Sequence, residues 1–165
     1  VVSTTLTLVG GVQGNILTVA SVGAGVVYPG SYLNSNASGV VQPYGTGGTT
    51  GTGGAGTYML DVGEQNVAAG TTIGGKYGVY TVGTATGTFA VGMVLSGGTT
   101  LLAGAYLTQL LTGTGGDGST FAVAAGTTSQ TSHALIGSTW VETKWWAMSA
   151  GQVDAGIKIT SQPTG

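Results

Sequence analysis

The chain reads as all-β, an Ig-like β-sandwich or a small β-barrel built from two repeated units and a C-terminal hairpin. Three observations predict this. First, short runs rich in Val, Thr, Ile and Tyr alternate with Gly-rich turns along the chain. Second, no stretch carries a capped 3.6-residue period. Third, the hexapeptide Gly51-Thr52-Gly53-Gly54-Ala55-Gly56 returns with one change as Gly113-Thr114-Gly115-Gly116-Asp117-Gly118, and a β-prone stretch follows each copy. A repeat of this kind means one supersecondary unit used twice.

Taken in order, Thr4 to Val9 and Asn15 to Val22 are strand candidates, with Gly10 to Gly14 as the turn between them. Leu6 and Leu8 alternate with Thr5 and Thr7, so one face is buried. Val26-Val27-Tyr28 reads as a strand ending in a Pro29-Gly30 turn. Val40 to Tyr44 is a short strand in which Pro43 marks an edge or an end. Residues 45–56 form a Gly/Thr loop, flexible unless something packs on it. The order then recurs. Val79 to Val82 matches Ile16 to Val19, Phe89 to Leu95 matches Val27 to Leu33, and Tyr106 to Leu111 stands where Val40 to Tyr44 stood. Leu101 to Tyr106 is the one helix-like run, and Gly104 weakens a helix there by about 1 kcal/mol. The expected organisation is an N-terminal strand or arm at 1–15, units at 16–75 and 79–138, and a C-terminal hairpin and tail at 139–165. That tail holds all three Trp. As a strand, Val141, Thr143, Trp145 and Ala147 face one way, and Trp140, Glu142, Lys144 and Trp146 face the other.

Composition excludes several functions. Of 165 residues 34 are Gly and 5% are charged, against about 25% charged in ordinary soluble domains. With no Arg and three Lys, the chain cannot neutralise many phosphates, so no nucleic-acid partner is expected. The chain is 41% apolar with a net charge of −2, which argues for a folded chain rather than a disordered one. Without Cys there is no disulfide framework and no thiolate metal site. No apolar run reaches the roughly 20 residues of a membrane-spanning helix. The start Val1-Val2-Ser3-Thr4-Thr5 lacks the basic region of a signal peptide and lacks Met, so it reads as processed or as missing its first residues. A surface so poor in charge suits a protein held in an assembly.

The residues that could carry chemistry read as structural. Gly70 to Lys76 has the spacing of a phosphate-binding loop, but Tyr77 replaces the Ser or Thr that holds magnesium, and a β-turn is the better reading. His133 has only Ser132 beside it, which on a strand points to the opposite side. Asp117 resembles a calcium turn, yet Gly-Asp-Gly is ordinary turn chemistry and the chain has five acids in all. Glu142 and Asp154 could be imagined as a glycosidase pair; Lys144 beside Glu142 makes an ion pair the better reading, and Asp61 and Glu64 lie near a turn. Asn36-Ala37-Ser38 is a glycosylation sequon, of consequence only in a secreted eukaryotic protein. Tyr28, Tyr32, Tyr44, Tyr58, Tyr77, Tyr80 and Tyr106 could line a sugar-binding face, though such residues more often anchor a core or an interface. Thr5-Leu6-Thr7, Thr84-Ala85-Thr86 and Thr112-Gly113-Thr114 lack the fixed spacing of an ice-binding surface. No catalytic, cofactor-binding or metal-ligating residue is expected.

Val91-Gly92-Met93-Val94-Leu95-Ser96-Gly97, the Gly51 to Tyr58 segment and Gln65-Asn66-Val67-Ala68-Ala69-Gly70-Thr71-Thr72-Ile73 together resemble a module of tailed-bacteriophage virion proteins. Glu142-Thr143-Lys144-Trp145 and Gly156-Ile157-Lys158-Ile159 are similar to the ending of small phage structural proteins. The resemblance covers roughly residues 16–160. Gln130 to Ile136 departs from it in the second unit. It implies a non-enzymatic virion component with no catalytic residues. The expectation is a capsid decoration (cement) protein on the outer surface of the phage head, bridging major capsid proteins as a homo-oligomer such as a trimer. The alternative is a tail or fibre component that binds a host-surface glycan. The expected interface is Trp140, Lys144, Trp145, Trp146 and Lys158, with the two Gly-rich loops contacting neighbours or remaining flexible.

Overall fold

The computed structural model describes residues 2–96, 105–124 and 136–138. Among these residues ten strands make one antiparallel network: β1 (Val2–Gly14), β2 (Ile16–Ala24), β3 (Tyr32–Ser35), β4 (Gly39–Val40), β5 (Gly56–Met59), β6 (Gln65–Thr81), β7 (Val94–Ser96), β8 (Tyr106–Thr112), β9 (Thr120–Ala124) and β10 (Ile136–Ser138). The described residues contain no α-helix, only a 3₁₀ turn at Thr46–Gly48. The all-β expectation therefore holds.

The first six strands wrap around. β1 pairs with β2, β2 with β5, and β3 with both β4 and β6, while β6 returns to β1. The remaining gap is closed where Val41 bridges Leu60, with Gln42 N–H donating to Met59 O at 2.8 Å and Asp61 N–H to Val40 O at 3.1 Å. The ring encloses a core of Leu6, Leu8, Leu17, Leu33, Tyr58 and Ile73 with their neighbours. Burying each such side chain fully contributes about 1.5–3 kcal/mol. A second core, of Tyr80, Val82, Leu95, Leu107, Phe121 and Val123, lies between β6, β7, β8 and β9.

Some expected elements differ. Gly10 to Gly14 is not a turn. β1 runs through it, and the chain reverses at Gly14-Asn15. The two glycines are needed because neighbouring backbone comes too close for a side chain: a methyl on Gly11 would lie 2.8 Å from Val67 O. The sequence signal was real, but it marked close approach rather than reversal. Residues 1–15 were expected as a strand or arm; the described part is the strand β1, flanked on both sides by partners and buried at Leu6, Leu8 and Val12. Val26 to Tyr28 is not a paired strand, although Pro29-Gly30 does turn. Gly70 to Lys76 is not a β-turn but the middle of β6. Gly70 (φ 82°) lies where β6 carries extra residues opposite the Gly10 to Val12 step of β1, a β-bulge. β6 also crosses the expected break at 75–79 without interruption.

Backbone hydrogen bonds recur at residues that align in the sequence. Val27 N–H donates to Gly53 O and Phe89 N–H to Gly115 O, both at 2.9 Å. Gly30 N–H donates to Val41 O and Gly92 N–H to Leu107 O, both at 2.8 Å. Leu17 faces Tyr58 across one strand pair, and Tyr80 faces Phe121 across another. Leu33 faces Gly75, and Leu95 faces Gly137.

Candidate functional site

The Gly-rich loops were the strongest sequence feature, and side chains hold both of them. In the first, the Tyr58 ring lies directly over Gly51, where any β-carbon would strike it. Its hydroxyl accepts from Gly53 N–H at 2.8 Å and donates to Gly54 O at 2.7 Å. In the second, Ser119 Oγ accepts from Gly115 N–H at 2.9 Å. Thr50 and Thr57 hydroxyls meet at 3.2 Å beside the first loop, and Thr112 and Thr120 at 2.7 Å beside the second. Residues 45–56, expected to be flexible unless packed upon, are thus packed upon. Neither loop presents a ring of free N–H groups to an anion, because its central N–H is already bonded.

Two carboxylates serve the backbone. Asp61 Oδ1 accepts from Val40 N–H at 2.6 Å, and Asp117 Oδ1 from Ala85 N–H at 2.7 Å. Among the described residues no three His, Asp or Glu gather as metal ligands would. Asn36 of the sequon has φ 62° and donates from Nδ2 to Thr72 O at 2.9 Å. Gln65 clasps the same loop through Ser38, accepting from its N–H and donating to its O, both at 2.8 Å.

The tyrosines face inward, for the most part. Tyr28 packs edge-on to Tyr77 with ring centroids 5.2 Å apart, Tyr44 tilts over Tyr58 at 6.1 Å, and Tyr80 meets Phe89 at 5.5 Å. Tyr44 Oη donates to Val27 O at 2.6 Å. Burial raises the phenol pKa of Tyr28, Tyr44, Tyr58 and Tyr80. Burial, and then the charge of Asp61, pushes Tyr106 up to about 12. Tyr32, at 41% exposure, is the tyrosine that stands out to solvent, while Tyr28, Tyr44, Tyr58, Tyr77 and Tyr80 pack in or against the two cores.

One surface feature was not legible in the sequence. Where β1 crosses its Gly10-Gly11 step, β2 and β6 both bulge, at Ala20 and at Ala68 to Gly70. Gly10, Gly11, Thr18, Ala20, Val67 and Ala69 then line a groove of about 220 Å³, floored by backbone and walled by small side chains. It holds no titratable group, so it cannot perform acid–base chemistry. The expected interface residues Trp140, Lys144, Trp145, Trp146 and Lys158, together with His133, Ser132, Glu142 and Asp154, lie outside the described residues. Among the described residues no helix is long and apolar enough to cross a membrane. Comparison with protein-family models, curated proteins and solved structures finds no significant match to this chain.

Proposed function

We propose that the chain is a non-enzymatic structural protein of a tailed-phage virion, most specifically a decoration protein that sits on the outside of the head and bridges major capsid proteins. The observation that carries this reading is how the chain uses its polar groups. Both Gly-rich loops, the carboxylates of Asp61 and Asp117 and the hydroxyls of Tyr44 and Tyr58 are spent on holding backbone. Among the described residues the exposed positions are mostly Thr, Gly, Ala, Ser and Asn, with few charges. Such a surface contributes little per contact and works through many copies, where weak contacts add by multivalency. The phage-module resemblance of residues 16–160 supplies the particle, and a symmetric homo-oligomer, a trimer in the simplest case, supplies the copy number. The inward tyrosines weaken the competing reading of a glycan-binding tail or fibre component.

The test is electron cryo-microscopy of the particle that carries the chain. Density at capsomer joints on the outer head surface is the expected result. Density confined to the tail, together with binding of the purified chain to host cell-wall sugars, would replace this reading with the alternative.

A further inference from the structure

The two sets of recurring hydrogen bonds differ in one strand. In the first ring, β1 fills the space between β2 and β6: Leu17 and Thr18 of β2 each pair with β5 on one side and with Val12 and Gly11 of β1 on the other. On its far side, β1 pairs with Gly74 to Lys76 of β6. In the second half, Tyr80 and Thr81 occupy the place of Leu17 and Thr18, and β10 occupies the place of the Gly74 to Lys76 stretch. Among the described residues no strand plays the part of β1. β6 pairs with β1 only as far as Val79, opposite Val2, and β10 pairs with β7 alone.

The backbone on one wall of this gap is set up to receive a strand. Val82 donates its N–H to Ser119 O and accepts from Gly118 N–H, both at 2.9 Å, so both of its polar groups face β9. Alternation along the strand turns the N–H and C=O of Thr81 the other way, into the gap. Meanwhile Tyr80, Val82 and Leu95 are nearly fully buried around the second core, and an open seam beside such a core is costly.

We infer that this seam is a strand-acceptor slot, bounded by β6 at Tyr80-Thr81 and by the edge of β10 that faces away from β7, and that its occupant is the segment of this same chain that follows β10, residues 139–165. The direction fits. A chain that reverses after Ser138 runs antiparallel to β10, as β1 runs antiparallel to β6 in the first ring. The length fits as well: the segment has 27 residues and carries two β-prone runs, Trp140 to Met148 and Ile157 to Thr160. In an extended conformation Val141, Thr143, Trp145 and Ala147 would share one largely apolar face, opposite Glu142 and Lys144, a pattern that suits a strand with a core on one side. The inference does not depend on the chain belonging to a virion.

Amide hydrogen exchange on the full-length chain tests it. The Thr81 amide is expected to exchange on the order of 100-fold more slowly than an exposed loop amide, at a rate independent of protein concentration. Thr143→Pro or Ile159→Pro should release Thr81 while leaving Thr18, its counterpart against β1, protected. A Thr81 amide with no protection would show the slot empty and overturn the inference. Protection lost on dilution would assign the slot to a second copy, and protection that survives both prolines would assign it to another strand; either overturns the proposed occupant. Because the chain has no Cys, a second readout is available should the proline variants fail to fold. Thr81→Cys combined with single Cys substitutions across 140–148 and 157–160 should yield a disulfide-linked monomer, and cross-links found only between chains would count against the proposal.

Discussion

At the scale of single residues, Tyr58 carries more of the fold than its place beside a Gly-rich loop suggests. Its ring packs on Gly51 and its hydroxyl bonds both sides of the loop, to Gly53 N–H and Gly54 O. Tyr58→Phe keeps the ring and leaves the Gly53 donor unpaired in a buried place, so it is expected to cost about 1–3 kcal/mol in urea unfolding. Gly51→Ala should cost as much or more, because the ring would have to leave its position. The tyrosines also set a pH limit. Burial holds the folded-state pKa values of Tyr28, Tyr44, Tyr58, Tyr80 and Tyr106 above the ordinary value of 10.0, so the folded state holds these phenolic protons more tightly than the unfolded chain does. The corresponding stability is complete below pH 10 and falls as pH rises above it, toward the folded values. Urea midpoints flat from pH 7 to about 9.5 and declining steeply beyond are the expected result, and Tyr44→Phe should soften the decline.

At the scale of elements, the strands show what a sequence of this composition reveals and what it hides. Leu6 and Leu8 against Thr5 and Thr7 gave β1 its buried face directly, because alternation is a local property. The Gly-rich stretches were ambiguous. Gly51 to Ala55 does leave the strands, whereas Gly10-Gly11 and Gly74-Gly75 sit inside them. The difference lies in what passes nearby: Val67 O beside Gly11, and Tyr32 O beside Gly75, are remote in sequence. The inward placement of Tyr28, Tyr44 and Tyr80 was legible only as one of two readings, since a sugar platform and a core use the same residues. The bulges flanking the Gly10-Gly11 groove were invisible, because they belong to pairing and not to composition. Gly11→Val tests the close approach. It should destabilise by about 1–3 kcal/mol in thermal or urea unfolding, while Gln13→Ala at the exposed rim of the same groove should stay within about 0.5 kcal/mol.

At the scale of the whole molecule, the two cores are joined by more than β6. Gly30 lies against Ala124, with a methyl on Gly30 reaching within 2.8 Å of Ala124 Cα, and Thr108 Oγ1 donates to Pro29 O at 2.6 Å. The halves should therefore unfold together. Leu8→Ala, deep in the first core, is expected to cost about 2–5 kcal/mol and to lower the melting temperature of second-core methyl signals such as Leu107 as far as that of first-core signals. Separate transitions for the two sets of signals would contradict this coupling.

The shared strand has an implication for how such a chain changes over time. β6 closes the first ring and runs on into the wall of the second core, so the two halves have no linker between them and no boundary at which a protease or a recombination event could separate them cleanly. Growth by copying is easier than division. A duplicated stretch inserted along β6 would enter in frame with the pairing pattern, and it would inherit a ready-made wall on which to fold. The order of units in a longer relative would thus be fixed by one continuous ribbon, and a unit lost from the middle would have to take half of that ribbon with it.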